Sequence, residues 1–417
     1  MNEPNIVASI ALALAVLHSA GTNFFARAAL KCKAGSSMQN IFELLSEVEV
    51  AFAMWASLYL AYLVYAVGYV GTSDYLASCN FTEPAFIIMM VALCFTKPIL
   101  EVAELFILWL PRHLSVNRSM GQYVSMLTLG PLLGSFITEP AAMTITAVLL
   151  ARHYFHDGWS VSFKYCSLAV LFVNISVGGT LTPYAAPPVL MVARSWGFDL
   201  PYMFLNFGLK GVLVCVVNAL GLAWWFREEF MKPLVPKDKS ALTPLWLRIA
   251  HVCVLVLIVI FAHNLSAFTT IFLAFLVLHH VTSEHQTPLR IQEGVLVGMF
   301  LASVVILSGP QSWWLEPLMT GKSRDLLFFG SLGMSALMDN AAITYMGSLI
   351  PVLPEASRYA LLAGAVCGGG LTVLANAPNP AGFLILKPFF GPTGISSIQL
   401  FRYALLPTLI AAFCFYF

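Results

Sequence analysis

The chain has 417 residues, of which 59% are hydrophobic and 10% are charged, and its formal net charge is +1. A soluble core cannot use so much apolar sequence, so the composition excludes an ordinary soluble protein and indicates a polytopic membrane protein. The near-zero net charge gives no reason to expect a nucleic-acid partner. The eight cysteines lack metal-binding spacings and read as small apolar side chains. We therefore expect a lipid bilayer as the main partner and no cofactor.

The first half of the chain, residues 1–227, predicts six membrane segments. Apolar runs of about 20 residues are long enough to cross a bilayer, whereas runs interrupted by Gly, Pro and acids predict hairpins or broken helices. In chain order we predict three scaffold spans near 5–26, 49–70 and 85–110 (together 5–110), a re-entrant hairpin at 121–154, a broken helix at 164–194 and a closing span at 203–226.

The interruptions mark the interior of the first half. Gly130-Pro131, Gly134 and Glu139-Pro140 divide the hairpin into two helices too short to cross singly, with its tip at residues 138–140. Residues 178–183, GGTLTP, should unwind the next helix midway. Irregular backbone at membrane depth survives only where protein or a wet cavity satisfies its polar groups. The tip and the break should therefore face a common site.

The second half, residues 246–417, repeats this order after a long polar stretch at 228–245, which we interpret as a cytoplasmic linker. Its predicted segments are scaffold spans near 246–262, 266–280 and 291–308 (together 246–308), a hairpin at 325–353, a broken helix at 358–387 and a closing span at 398–417.

A duplicated motif relates the two halves. Residues 135–144 read SFITEPAAMT and residues 335–344 read SALMDNAAIT, and each is followed by a Gly-Gly pair and an Ala-Pro run. Five crossings per half is an odd number, so the second repeat should be inverted. The predicted fold is all-α, with about ten transmembrane helices and two re-entrant hairpins in two inverted repeats, each with a broken helix. This is the architecture of alternating-access transporters.

The distribution of basic residues orients this topology. Most Lys and Arg residues fall on one predicted side, which the positive-inside rule makes cytoplasmic. Both termini should then be extracytoplasmic. The other side carries only Arg194, Lys210, Lys322, Arg324 and Arg358.

Glu139 and Asp339 are the acids at the two predicted hairpin tips. An acid at the centre of a bilayer costs about 2.5–3.5 kcal/mol on insertion scales, so it usually serves a function. The alternative to a functional role is that the two acids only cap helices, because Pro140 suits a first helical position and Asp is a favoured N-cap. A neutral Ser or Asn would cap as well, and the duplication favours a functional pair.

Burial disfavours the charged form of both carboxylates, so a proton and a cation should compete for them. One site occupied by either in turn gives exchange of Na+ for H+. We predict Na+ at Glu139 and Asp339, with further oxygen ligands from side chains at the tips and breaks. These candidates are Thr138, Thr180, Thr182, Asn340, Asn376 and Asn379.

A second polar group lies elsewhere in the chain. Lys97, Glu101 and Glu104 share one face of the third span and form either a structural ion pair or part of a proton path. Asn174, which precedes the first helix break, either lines the site or satisfies unwound backbone.

The hairpin-then-break order, with GGTLTPYAAPP at 178–188 and GGGLTVLANAPNP at 368–380, resembles the ion transporter superfamily over nearly the whole chain. Within it, SALMDNAAIT looks most like the hairpin tip of a branch of putative bacterial Na+/H+ antiporters. The resemblance implies an inner-membrane protein and a homodimer. It also implies a mobile transport domain of hairpins and broken helices that moves like an elevator against the scaffold spans.

The same residues allow a ranking of the possible functions. Exchange of Na+ or Li+ for protons leads, and sodium-coupled symport of a small carboxylate or oxyanion is the alternative, although two carboxylates would repel an anion. An intramembrane aspartyl protease is disfavoured because the GxGD motif is absent, as are HExxH and GxSxG. The broken helices favour a moving gate over a channel. We therefore do not expect an enzyme.

Overall fold

The computed structural model describes residues 3–33, 35–109, 111, 117–156, 158–231, 242–262, 264–319, 321–350, 353–391 and 394–417. Within these ranges all regular secondary structure is helical and no strand occurs. The predicted all-α class is confirmed.

Five helical stretches in the described part of the chain are long and apolar enough to cross a membrane, and a bent pair of helices makes a sixth if it counts as one span. Shorter apolar helices accompany them. A multi-pass helical membrane protein follows from these lengths and compositions, while the number of about ten crossings and the two re-entrant hairpins stay predictions.

Six helices form the first part of the chain. They are α1 (Glu3–Ala20), α2 (Thr22–Ala29), α3 (Ser37–Leu45), α4 (Val48–Ser78), α5 (Thr82–Cys94) and α6 (Lys97–Trp109). The short helices α2 and α3 were not predicted, since neither is long enough to register as a span. Helix α4 extends well beyond the predicted 49–70 and is kinked at Gly68, where φ is 77°.

The region predicted as a span near 85–110 consists of two helices, α5 and α6, which meet at an angle of 73°, a bend that the sequence analysis did not foresee. Pro98 has no N–H to donate to the carbonyl of Cys94, so the helix cannot continue regularly through this point. The hydroxyl of Thr96 donates to Leu93 O at 2.7 Å at the bend. The chain therefore turns between Cys94 and Lys97.

The next helices are α7 (Arg118–Ile137), α8 (Glu139–Tyr154), α9 (Val161–Gly178), α10 (Pro187–Trp196), α11 (Leu200–Met203) and α12 (Leu209–Trp225), with one π turn between α11 and α12. Helices α7 and α8 pack antiparallel, because Gly130 faces Thr146 and Gly134 faces Ala142. The backbone leaves the helix between Gly178 and Pro187, and only a 3-10 turn interrupts the irregular path.

The expected interruptions at Gly130-Pro131 and Gly134 are wrong, since α7 runs through them for 20 residues. Pro131 lacks the N–H that would pair with the carbonyl of Leu127. The side chain of Asn174 supplies the missing donor, with its Nδ2 2.8 Å from Leu127 O. A buried partner from α9 therefore lets the helix continue through the proline.

The second half contains nine helices within the described ranges. They are α13 (Leu245–Ile260), α14 (Leu265–Val281), α15 (Ile291–Ser308), α16 (Ser312–Met319), α17 (Arg324–Ser335), α18 (Asn340–Ser348), α19 (Glu355–Gly368), α20 (Asn379–Leu386) and α21 (Ser397–Tyr416). Helix α16 was not predicted. Most of the predicted linker, residues 232–241, lies outside the described residues.

Two basic residues contact the end of α21. Lys210 Nζ lies 3.5 Å from Phe415 O, and Arg324 donates to Tyr416 O at 2.5 Å. Both had been assigned to the membrane side that carries the C-terminus, so the contacts agree with that grouping. Which side faces the cytoplasm is a separate question.

Candidate functional site

The first hairpin turns at Thr138, and Glu139 follows as the first residue of α8. Thr138 has a φ of 71° and is the single non-glycine residue with positive φ among the described residues. Such backbone strain costs about 1–3 kcal/mol and occurs most often at functional sites. Both residues are completely buried. The turn thus holds a carboxylate inside the protein at a helix N-terminus.

Glu139 is bound by the helix break of the other half of the chain. Asn376, between α19 and α20, donates from Nδ2 to Glu139 Oε2 at 2.9 Å. The carboxylate also lies against Gly179, where an added Cβ would be 2.8 Å from Glu139 Cγ. Glycine is required at this position because any side chain would displace the acid.

The second hairpin tip shows a corresponding arrangement. Asp339 caps α18, with Oδ1 accepting from Ala341 N at 2.8 Å. Its neighbour Asn340 is buried and donates from Nδ2 to Ser176 Oγ in α9 at 3.4 Å. Each hairpin tip is therefore bonded to the broken helix of the opposite half. Capping, the alternative raised by the sequence, is present at Asp339.

Each hairpin is also bonded to the broken helix of its own half. A serine hydroxyl at the end of the first hairpin helix donates to the broken helix, and a threonine in the break donates back. The bonds are Ser135 Oγ to Gly178 O (2.7 Å), Thr182 Oγ1 to Ser135 O (2.5 Å), Ser335 Oγ to Ala365 O (2.9 Å) and Thr372 Oγ1 to Ala336 O (3.0 Å). The duplicated motif thus makes duplicated contacts.

Several buried oxygen atoms at the tips and breaks have no hydrogen-bond partner among the described residues. Leaving a buried polar atom unpaired costs about 1–3 kcal/mol, so a group of them needs an explanation. Hard cations take oxygen ligands, and broken helices supply them in transporters. The atoms are Thr138 Oγ1, Glu139 Oε1, Asn340 Oδ1, Asn376 Oδ1 and Asn379 Oδ1. Oxygen donors of this kind are the ligands that a hard monovalent cation prefers.

Three of the predicted ligands donate to backbone in this structure. Thr180 Oγ1 donates to Val177 O at 2.7 Å, and Thr182 donates to the first hairpin as described. Asn379 Nδ2 lies 2.8 Å from both Gly369 O and Thr372 O. These groups hold the unwound segments in place.

Asn174 has all its groups in use. Besides Leu127 O, its Nδ2 donates to Cys215 O at 3.2 Å, and its Oδ1 accepts from Asn218 Nδ2 at 2.9 Å. The side chain joins α7, α9 and α12. The carbonyls that it satisfies belong to the helices α7 and α12, and not to the unwound segment for which the sequence suggested it.

The group of Lys97, Glu101 and Glu104 lines a different cavity, of about 550 Å³, shared with Arg152 and Arg290. Lys97 Nζ is 3.8 Å from Glu101 Oε1, so the predicted ion pair is present. Glu101 Oε2 also accepts from the N and Oγ1 of Thr243, at 2.9 and 2.6 Å. The structure does not bring this group to the hairpin tips.

Sequence reasoning missed Glu49, in the first turn of α4. It lines a small cavity with Asp339 and Asn376. The available signal was an acid at the start of a long apolar run, but nothing in the sequence connects it with a hairpin in the other half. Ser135 and Ser335 stood in the duplicated motif, yet their role as ties to the broken helices was not foreseen.

The helical fold and the buried acids at paired helix breaks define a multi-pass membrane protein of the transporter class. The family described as "Putative Na+/H+ antiporter" matches residues 3–417, and the chain belongs to it. The comparison with curated proteins gives no match.

Among solved structures, the chain is similar to the YdaH transporter of Alcanivorax borkumensis. The sequences are 14% identical, the alignment covers 99% of this chain and 97% of the other, and the TM-score is 0.47.

Proposed function

We propose that this transporter exchanges Na+, or Li+, for protons across the bacterial inner membrane by alternating access. The observation that carries the proposal is the group of buried oxygens without partners around Glu139 and the two helix breaks. A cation supplies the missing interactions, whereas an anion would meet the acids and the same oxygens as like charges. Membership of the family supports the same cargo.

The chemistry follows from the contacts of Glu139. Asn376 binds one carboxylate oxygen, which leaves Oε1 free to face a cation. A cation binds the charged carboxylate, and a proton arriving from the other side neutralises it and removes that attraction. Asn376 is bonded to Glu139 and borders a cavity with Asp339, and on this basis the proposal links the occupancies of the two acids. Cation and proton thereby use the same acids in turn.

The movement we propose is an elevator-like displacement of one unit, made of both hairpins and both broken helices, against the scaffold spans. Hydrogen bonds of each hairpin to both broken helices support such a unit. Two inverted repeats, a homodimer and extracytoplasmic termini complete the proposal. The positive-inside pattern supports this orientation.

Proton movement in proteoliposomes tests the function. A pH-sensitive dye inside the vesicles reports flux after addition of Na+, Li+ or K+ at several pH values, for the wild type, Asp339→Asn and the exposed control Asp74→Asn. We expect Na+- or Li+-driven flux in the wild type and the control and none in Asp339→Asn.

Wild-type flux in folded Asp339→Asn would refute the assignment of that residue. If the folded wild-type protein shows no proton flux with any of the cations, cation/proton exchange is refuted. Sodium-coupled symport would then become the leading proposal, and uptake of labelled carboxylates and oxyanions would test it.

A further inference from the structure

Glu49 lies beside the second hairpin although it belongs to a scaffold helix. Its carboxylate, in the first turn of α4, borders a small cavity of about 10 Å³ together with Asp339 and Asn376. This volume suits one water molecule or one dehydrated cation. Three oxygen-bearing side chains from three separate elements thus meet around a space of atomic size.

Two atoms at this cavity lack partners. Glu49 Oε2 and Asn376 Oδ1 are buried and have no hydrogen-bond partner among the described residues. Asn376 is only 1% exposed. Glu49 and Asp339 border the same small cavity, and two carboxylates so placed repel each other unless a cation or a proton lies between them. Burial, missing partners and like charge all point to a positive ligand.

The small cavity adjoins a larger one. A second cavity of about 340 Å³ shares Val48, Val373, Leu374 and Pro380 with it, and its wall carries one acid and one base, Glu47 and Lys387, besides polar side chains. We name this larger cavity the vestibule. The apolar residues that both cavities share separate the vestibule from the cavity at Glu49.

Asn376 connects the small cavity to the first hairpin. Its side chain borders the cavity, and its Nδ2 donates to Glu139 Oε2 at 2.9 Å. A ligand bound at Asn376 Oδ1 would therefore contact the same side chain that donates a hydrogen bond to Glu139. Neighbouring groups therefore lead from the vestibule to the first hairpin. They are Glu49, Asp339, Asn376 and Glu139.

We propose that Glu49, Asp339 and Asn376 form a second monovalent-cation subsite, which the cargo occupies between the vestibule and Glu139. This inference rests on the proposed function and adds to it a ligand from the scaffold. Because Glu49 belongs to α4 and not to the hairpins or broken helices, the subsite is complete only while the two parts have their present arrangement. It therefore serves loading from the vestibule side.

Equilibrium binding of ²²Na+ to purified full-length protein in lipid nanodiscs tests the subsite. The variants are Glu49→Gln and, as a control on the same helix, Asp74→Asn, whose side chain is exposed. We expect Glu49→Gln to weaken apparent Na+ affinity by about tenfold or more and Asp74→Asn to leave it within about twofold. In proteoliposomes the half-saturating Na+ concentration for proton flux should rise by the same factor in Glu49→Gln and stay within about twofold of wild type in Asp74→Asn.

A purely structural role for Glu49 would lower thermal stability without moving the half-saturating Na+ concentration, and that result overturns the inference. If Glu49→Gln does not fold, Glu49→Asp replaces it, since it keeps the charge but withdraws it from the cavity. Unchanged affinity in folded Glu49→Asp overturns the inference equally.

Failure of the proposed function looks different. Wild-type protein would then bind no ²²Na+ and show no cation-driven proton flux. Wild-type binding and flux with an unaffected Glu49→Gln would remove the subsite alone.

Discussion

Asn376 Nδ2 donates to Glu139 Oε2 at 2.9 Å, across 237 positions of sequence, and this bond joins the helix break of one half to the hairpin acid of the other. It fixes one oxygen of the carboxylate and leaves the second without a partner. The orientation of the acid is therefore set by a neutral amide that has an unpaired oxygen of its own.

Replacing Asn376 by Ala should weaken cation binding. A hydrogen bond to a charged group contributes about 1.5–3 kcal/mol, so we expect the half-saturating Na+ concentration for proton flux to rise by about tenfold or more. Asn206→Ala is the matched control, because its amide donates only to Tyr202 O, within its own helical segment. Equal Na+ dependence in both variants would contradict the role of Asn376.

Gly179→Ala should disturb the site directly. The new methyl group would lie 2.8 Å from Glu139 Cγ, and overpacking of this kind costs about 1–3 kcal/mol. We expect a lower melting temperature in detergent and loss of most cation-driven flux. Gly221→Ala, on α12, meets nothing within 4 Å and should match wild type or exceed it in stability. A Gly179→Ala protein with wild-type flux would show that the acid can move aside.

Lys97→Ala should lower yield and melting temperature more than turnover. The variant removes the partner 3.8 Å from Glu101, but Thr243 still donates twice to that carboxylate. We expect flux per folded molecule to stay within about twofold of wild type, since Lys97 borders a cavity separate from the hairpin tips. Quantitative flux after size-exclusion chromatography measures this. A monodisperse but inactive variant would instead place Lys97 on a proton path.

Thr182→Val and Thr372→Val should behave alike. Each removes a hydroxyl that donates to a hairpin carbonyl, and the unpaired carbonyl costs about 1–3 kcal/mol. We expect similar losses of melting temperature and an unchanged ratio of Na+- to Li+-driven flux. A change of that ratio in Thr182→Val alone would identify Thr182 as a direct ligand.

The positions of the tips and breaks could be inferred from sequence because their signals are local. An acid followed by Pro or Asn within an apolar run interrupts the helix wherever the rest of the chain lies, and the turn at Thr138 and the exit at Gly178 are such points. The bend at Thr96 had a comparable local signal in Lys97-Pro98. The long apolar run at 85–110 nevertheless led us to predict one span there. Pro131 shows the converse, because a distant partner cancelled its local effect.

The hydrogen-bond partners of the site residues could not be inferred from sequence, because they depend on how the two halves of the chain pack. Nothing local indicates that Asn376 binds Glu139, that Asn340 reaches Ser176, or that Glu49 borders Asp339. Residue type alone gave Thr182 as a ligand, whereas its hydroxyl is used by the hairpin backbone. Residue chemistry identified which groups could bind a cation, and only packing shows which of their oxygens stay free.

The crossed bonds between hairpin tips and opposite halves also act as an interlock. The first hairpin cannot swing away without releasing Asn376, and the second cannot do so without separating Asn340 from Ser176. The hydrogen bond from the Asn376 amide is strongest when Glu139 is charged and holds no cation, because a hydrogen bond strengthens when its acceptor is ionised. In the exchange cycle proposed above, separating the two halves at this bond would therefore be hardest while Glu139 is charged and empty, which is the state in which opening would let ions leak.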